Sequence, residues 1–159
     1  MLDLAMGFKG SLRRSFGRRK TYNFTHTPLA ETLVKLHAER IEGTNAIARH
    51  SVDGVIVNGV EHRNSVVVPW AGEVHGWPAE RFEALTAAHF EALARLRPEL
   101  VVFGSGRRLR FAKPALLRPL IDAGIGIETM DTPAACRTYN VLLAEGRSVV
   151  AALLFEPAG

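Results

Sequence analysis

Residues 99–131 read ELVVFGSGRRLRFAKPALLRPLIDAGIGIETMD, and this stretch decides the fold. Its first part, Glu99–Phe103, contains a continuous apolar run that is typical of a strand covered on both faces. A helix is predicted to begin near Pro114, because proline suits the first helical turn, and to end before Gly124, where glycine is favoured. A second core strand is predicted over Ile125–Met130. Strand, helix and strand in this order predict parallel strands joined by a helix.

The same alternation continues toward the C terminus. Asp131-Thr132-Pro133 combines a polar N-cap with proline at the first helical position, and predicts a helix that ends at Gly146. A last strand is predicted over 147–155. The second half therefore reads β-α-β-α-β, which favours helices packed on a largely parallel sheet.

The segment before residue 99 has a different pattern. Asp53-Gly54 and Asn58-Gly59 separate short apolar runs and are typical hairpin turns, so antiparallel strands are predicted around them. Val66–Val68 predicts another covered strand, and residues 72–78 are predicted to form a loop. A helix is predicted to follow, with Thr86 as its N-cap.

The resulting fold prediction is one α/β domain over residues 35–157. It is a three-layer α/β/α sandwich with a mixed central sheet, in which N-terminal antiparallel hairpin strands precede β-α-β-α-β. The chain of 159 residues is long enough for one domain with its own core. No apolar run approaches the roughly 20 residues that a membrane-spanning helix needs.

The positive charge of the chain is concentrated in residues 1–34. They contain six basic and two acidic side chains, whereas the remaining 125 residues contain 14 of each. This composition predicts a disordered basic extension; an organelle transit peptide, an arm that binds a membrane or nucleic acid, and an early start codon stay open as alternatives. Because the domain itself is neutral, binding of nucleic acid is expected only through residues 1–34.

The cysteine and histidine content limits which cellular compartment and which metal sites are expected. The only cysteine, Cys136, cannot form an internal disulfide, which favours a reducing compartment: the cytoplasm, or the mitochondrion if the source is eukaryotic. The six histidines show no metal-ligand spacing, so no metal and no cofactor are expected. No carboxylate pair and no Gly-x-Ser-x-Gly motif stands out, so a non-catalytic function is favoured over an enzyme.

Three loops follow predicted core strands, where ligands of open α/β sheets usually bind. They begin at Trp70, at Gly104 and at Asp131, and they converge if the strands are neighbours and parallel. Small residues at 104–106 let the backbone approach a ligand, and Arg107 can pair with a phosphate or carboxylate. The candidate pocket residues are Trp70, Gly104, Ser105, Gly106, Arg107, Asp131, Thr132, Tyr139 and Asn140.

For several of these residues, a purely structural role is the simpler interpretation. The segment 104–108 is also typical of a tight turn with solvated arginines, and Asp131 of an ordinary helix cap. Asn140 interrupts the buried face of its helix, either as a packed polar group or as a pocket donor. Cys136 lies on the apolar stripe of the same helix and is predicted to be a core residue.

Four segments together resemble a known family. They are VVVPW (66–70), RPELVVFGSG (97–106), GIETMDT (126–132) and CRTYNVLLAEGR (136–147). The chain resembles the uncharacterised prokaryotic domain family whose eukaryotic relatives include mitochondrial respiratory complex I assembly factor 3. The resemblance implies a compact three-layer α/β/α domain with a mixed sheet, and no established catalytic activity or cofactor.

Two functions follow as expectations. By the resemblance, the chain is a non-catalytic protein-binding or assembly module for a respiratory complex, with a protein as its partner. The alternative is a protein, or an enzyme, that binds a small anionic ligand through loops 104–110 and 131–133.

Overall fold

The computed structural model describes residues 43–158; the predicted extension 1–34 and the start of the domain at residue 35 lie outside them. The described part contains eight strands, three α-helices and one 3-10 turn, Phe82–Ala84. The helices are α1 (Ala87–Arg95), α2 (Pro114–Asp122) and α3 (Thr132–Ala144). The strands are β1 (Ile47–His50), β2 (Val55–Val57), β3 (Val60–His62), β4 (Val66–Pro69), β5 (His75–Gly76), β6 (Leu100–Gly104), β7 (Gly126–Met130) and β8 (Val149–Leu153).

The central sheet is mixed, as predicted. Its five strands lie in the order β5-β4-β8-β6-β7. Strand β6 runs parallel to both β7 and β8, while β4 runs antiparallel to β8 and to β5. The segment β6-α2-β7-α3-β8 is the predicted β-α-β-α-β unit.

The sheet has a helical layer on each face, because successive strand residues point to opposite sides. Val67, Val101 and Phe103 pack in the core cluster that contains the buried residues of α1 and α2. Val66 and Val102 pack in the other cluster, which contains the buried residues of α3. The predicted α/β/α sandwich is therefore confirmed.

A second, three-stranded sheet of order β1-β2-β3 packs on the α3 side. Both pairs are antiparallel, as the two hairpin turns predict. Asn58 and Gly59 have positive φ angles of 50° and 87°, the left-handed conformation that a two-residue hairpin turn requires. The N-terminal hairpin prediction is confirmed.

Two expectations are wrong in detail. The predicted loop 72–78 contains β5, a two-residue edge strand without apolar alternation. More important for the site, β4 is not parallel to the other core strands. Its direction is set by pairing with β8, more than 80 residues later in the chain, for example between Val66 and Leu153. Nothing in the local pattern of β4 encodes the direction of so distant a partner.

Candidate functional site

Loops 104–110 and 131–133 meet at the carboxyl ends of β6 and β7. Gly104 is paired with Met130 in the parallel register. The N–H of Ser105 donates to Met130 O (2.9 Å), and the N–H of Thr132 donates to Gly106 O (2.8 Å). The structure thus brings together the two loops that the sequence analysis placed at one site.

The space beside Gly104 and Gly106 is occupied by another residue of the same chain, Thr132. A Cβ on Gly104 would lie 3.0 Å from both Cα and Oγ1 of Thr132, tighter than ordinary contact. The N–H of Gly106, a residue with φ of +104°, donates to Thr132 Oγ1 (2.9 Å). That hydroxyl in turn donates to Leu154 O (3.0 Å). Thr132 therefore occupies the place that the sequence analysis left for a ligand beside the glycines.

Asp131 and Ser105 are also engaged within the chain. One Asp131 carboxylate oxygen accepts from the N–H of Ala134 (2.8 Å), so Asp131 caps α3, as the plainer interpretation predicted. Ser105 is fully buried, and its Oγ accepts from the N–H of Arg110 (2.8 Å). Two carbonyl oxygens, of Arg108 (2.9 Å) and Met130 (3.1 Å), lie where this hydroxyl can donate.

The Arg110 side chain folds back under its own loop. Its Nε and Nη2 both donate to Ser105 O (3.1 and 2.7 Å), and Nη2 also donates to Glu156 Oε2 (2.7 Å). The guanidinium carbon lies 4.5 Å from the centre of the Phe82 ring, a cation–π contact. We call Ser105, Arg110 and Glu156 the Arg110 anchor.

Glu156 is a member that the sequence analysis missed. Burial raises the pKa of its carboxyl, but this effect is outweighed by the hydrogen bonds from Arg110 and from the N–H of Phe82 and by the charges of Arg110 and Arg108. The net result is a lowered pKa, so the carboxylate stays ionised opposite Arg110. Glu156 lies beyond the last predicted strand, and no local motif indicates its role.

Arg107, the predicted anion ligand, is exposed and forms an ion pair with Asp53 (Nη2 to Oδ1, 3.1 Å). The cavity beside it has a volume of about 30 Å³. That volume suits about one water molecule. The lining residues are Ser51, Val52, Gly106, Arg107, Thr132, Pro133, Leu154 and Glu156.

The structure does not bring Trp70 to this site. Gly104 lies level with Leu153 of β8, whereas Pro69, which precedes Trp70, lies level with Val150. Because β4 is antiparallel to β8, its carboxyl end reaches the other end of the sheet. The expected convergence of three loops is therefore wrong for Trp70, whose ring packs against both core clusters.

Tyr139 also lies at that other end. It is fully buried, and its hydroxyl lies where it can donate to Asn45 O (2.7 Å) or to Pro69 O (3.0 Å). Burial raises the pKa of Tyr139, so the phenol stays protonated and remains a donor. Burial likewise raises the pKa of the neighbouring Cys136 to about 12, which the charge of Arg137 only partly opposes, and this suits the core position predicted for the thiol.

Asn140 binds the backbone of β1. Its Nδ2 donates to Ile47 O (2.8 Å) and its Oδ1 accepts from the N–H of Ile47 (3.0 Å), so it is the packed polar group of the two alternatives. Nearby, Asn45 Nδ2 donates to Pro69 O (2.9 Å), and Asn58 Nδ2 donates to Asn45 Oδ1 (2.8 Å). We call this network the Tyr139 clamp; its members are Asn45, Asn58, Tyr139 and Asn140.

The largest exposed apolar side chains near the Arg110 anchor were not predicted as functional. Phe111 is 72% exposed and Leu109 is 51% exposed, although the core lies immediately below them. A usable indication was present in the sequence, because both apolar residues alternate with arginines at 107–111. Strict alternation of this kind is typical of a half-buried strand, yet here it falls in an irregular loop.

Comparison with known proteins assigns the family. Residues 47–154 match the family model described as "Protein of unknown function (DUF498/DUF598)". The chain belongs to this family. The match spans all eight strands and all three helices of the described residues.

One named relative carries the assembly function that the resemblance implied. The chain is 37% identical over 118 residues to NADH dehydrogenase [ubiquinone] 1 alpha subcomplex assembly factor 3 of Bos taurus. The aligned part covers 71% of this chain and 62% of that relative, so the chain spans less than two thirds of its length. The resemblance to this family is thereby confirmed.

Two solved structures confirm the fold. A crystal structure of a Bordetella parapertussis protein has a TM-score of 0.69 at 38% identity, covering 74% of this chain and 100% of that chain. A solution structure from Bordetella pertussis, described as a Mth938-like domain, has a TM-score of 0.67 at 32% identity, covering 76% of this chain and 91% of that chain.

Two kinds of feature are absent from residues 43–158. No group of three or more histidine, cysteine, aspartate or glutamate residues in this range is arranged to hold a metal ion. Within the same range, no helix is both long and apolar enough to cross a membrane.

Proposed function

We propose that this chain is a non-catalytic protein-binding module that assists the assembly of a respiratory NADH dehydrogenase complex. The observation that carries the proposal is the 37% identity to an assembly factor of that complex over 118 residues. An assembly factor acts through its surface, by binding a subunit or an intermediate.

The use of polar side chains supports the proposal. Tyr139, Asn140, Ser105 and Thr132 all satisfy their hydrogen bonds within the chain. The exposed side chains of the loop that follows β6 are instead arginines and the apolar residues Leu109 and Phe111. Aromatic and arginine side chains are enriched in protein–protein interfaces.

Deletion of the gene in its host tests this function. We expect a lower amount of fully assembled NADH dehydrogenase on native gels, with an unchanged turnover rate per assembled complex. Re-expression of the wild-type chain should restore the amount. The level of another respiratory complex in the same membranes serves as the control.

Two results would contradict the proposal. A deletion strain with a normal amount of assembled complex would show that the chain is not needed for assembly. A normal amount of complex with a lowered turnover rate would indicate a role in the reaction itself. A cytoplasmic location stays a prediction, which fractionation of the same cells can check.

Binding of a small anion at loops 104–110 and 131–133 also stays a prediction. The cavity beside Arg107 has a volume of only about 30 Å³, so a ligand larger than a water molecule would lie partly outside it. A thermal-shift titration with phosphate checks it: binding should raise the melting temperature, and Arg107→Ala should remove the rise.

A further inference from the structure

The segment from Arg107 to Lys113, which we call the basic loop, combines exposed apolar and cationic side chains. Arg107, Arg108, Leu109, Phe111 and Lys113 are exposed. Phe111 alone leaves 72% of its surface in contact with solvent. Exposed apolar side chains indicate binding where they form a patch, and Leu109, two residues before Phe111, is 51% exposed as well.

The basic loop is held in shape from below. Between its exposed residues, the Arg110 side chain is only 15% exposed and is fixed by Ser105 O and Glu156. Ala112 is 7% exposed and packs in the core cluster on the α1 and α2 side. Because these two residues point inward, Leu109 and Phe111 are presented outward on a defined backbone. A surface fixed before binding loses little conformational entropy on association.

The charge of the basic loop is all of one sign. It contains three arginines and one lysine and no acidic residue, while the 125 residues after position 34 are neutral as a whole. Glu156 pairs with Arg110 (2.7 Å), Glu83 lies 3.6 Å from the same guanidinium, and Asp53 pairs with Arg107. Arg108 and Lys113 form no ion pair within 4.0 Å among residues 43–158. The two cations without an ion pair therefore lie on either side of the two apolar residues in the sequence.

We propose that the basic loop is the docking element of this assembly module, and that its partner is a protein surface with an apolar pocket rimmed by carboxylates. Phe111 enters the pocket, while Arg108 and Lys113 pair with the rim. This inference rests on the proposed function and names the surface and the chemistry by which it acts. Charge complementarity of this kind guides encounter and orients the partner.

A protein fits this surface better than an anionic membrane does. Membrane-binding segments bury a broad apolar face, usually of a helix, whereas here two apolar side chains project from an irregular loop. Arg108, one of the two cations assigned to the partner, has a planar guanidinium that suits bidentate pairing with a carboxylate.

Site-specific photocrosslinking in the host tests the partner. A benzophenone amino acid replaces Phe111 in the full chain, and the matched control carries it at Val60, which is 59% exposed on β3. We expect position 111, and not position 60, to crosslink to a subunit of the NADH dehydrogenase complex at a peptide that contains aspartate or glutamate. When Lys113→Glu is combined with the benzophenone at position 111, the yield of the crosslinked product should fall several-fold. Arg137→Glu on α3, combined in the same way, should leave that yield unchanged.

Complementation separates this inference from the proposed function. In a deletion strain with impaired assembly, Phe111→Ser should fail to restore the complex and Val60→Ser should restore it. If both variants restore it, the chain is an assembly factor but the basic loop is not its docking element. Equal crosslinking from positions 111 and 60, or a crosslinked peptide without acidic residues, would also overturn the inference.

Co-sedimentation with lipid vesicles tests the membrane alternative. The wild-type chain is expected to stay in the supernatant with vesicles of phosphatidylglycerol, as it does with vesicles of phosphatidylcholine. Sedimentation with phosphatidylglycerol alone, lost on Phe111→Ser, would show that the basic loop binds an anionic membrane and would overturn the assignment to a protein.

Discussion

The two ends of the five-stranded sheet use similar polar chemistry for different purposes. At one end, the Tyr139 clamp binds helix α3 to β1 and to the end of β4. At the other end, the Arg110 anchor binds the beginning of the basic loop to Glu156 near the C terminus. The clamp joins regular elements to each other, whereas the anchor fixes an irregular segment whose side chains at 107–109, 111 and 113 face solvent.

The difference shows how a satisfied polar network relates to function. Each network fills its hydrogen bonds within the chain, so neither leaves buried groups free for a ligand. The Arg110 anchor nevertheless fixes the backbone from which the Leu109 and Phe111 side chains project into solvent. A buried polar group can thus contribute to binding by shaping the surface above it.

Replacing Tyr139 should have the largest effect on stability. Tyr139→Ala removes a fully buried ring and should lower the free energy of unfolding by about 3–5 kcal/mol. Tyr139→Phe keeps the ring but leaves the Asn45 carbonyl without its hydroxyl donor, at a cost of about 1–3 kcal/mol. Urea unfolding followed by circular dichroism measures both. Equal stability of the phenylalanine variant and wild type would contradict the clamp.

Replacing Arg110 should have a smaller effect on stability and a larger one on the basic loop. Arg110→Gln removes charge-assisted hydrogen bonds to Ser105 O and Glu156, worth about 1.5–3 kcal/mol. In this variant, hydrogen exchange should be faster at the backbone N–H of position 110, which in the wild type donates to Ser105 Oγ. The exposed Arg108→Gln is the matched control and should change stability by less than about 0.5 kcal/mol. Similar losses from both variants would contradict the anchor.

Glu156 should make stability depend on pH. The pKa of its carboxyl is lowered in the folded chain from the ordinary 4.5, so its contribution is present above that value and is lost as the pH falls through the folded pKa. Glu156→Gln should therefore differ from wild type at neutral pH, and the difference should shrink in acid. Urea unfolding across that pH range measures it. A pH-independent difference would indicate that ionisation of Glu156 is irrelevant.

Phe111→Ser should have the smallest effect on stability although it should abolish docking. The side chain is 72% exposed, so its loss should change the free energy of unfolding by less than about 0.5 kcal/mol. The same urea measurement checks this and validates the complementation experiment. A loss above about 1 kcal/mol would mean that Phe111 packs on its own chain.

Much of the fold was predictable because the relevant patterns are local. Pro114 and Gly124 mark the limits of α2, and Asn58-Gly59 forms the turn that its sequence favours. The cap at Asp131 was equally readable from its neighbours. The candidate site was only half predictable: loops 104–110 and 131–133 do meet, but Trp70 does not join them.

By itself, the sequence determined the order of the elements, the positions of the turns, the neutral charge of the domain and the family. Only the tertiary structure decided that β4 runs against β8, that Thr132 fills the space beside the glycines, and that Glu156 reaches Arg110. The physical reason is the separation along the sequence of the residues that interact. Turns, caps and periodicity are set by interactions among neighbouring residues, whereas strand direction and polar pairing depend on partners brought together from distant parts of the chain.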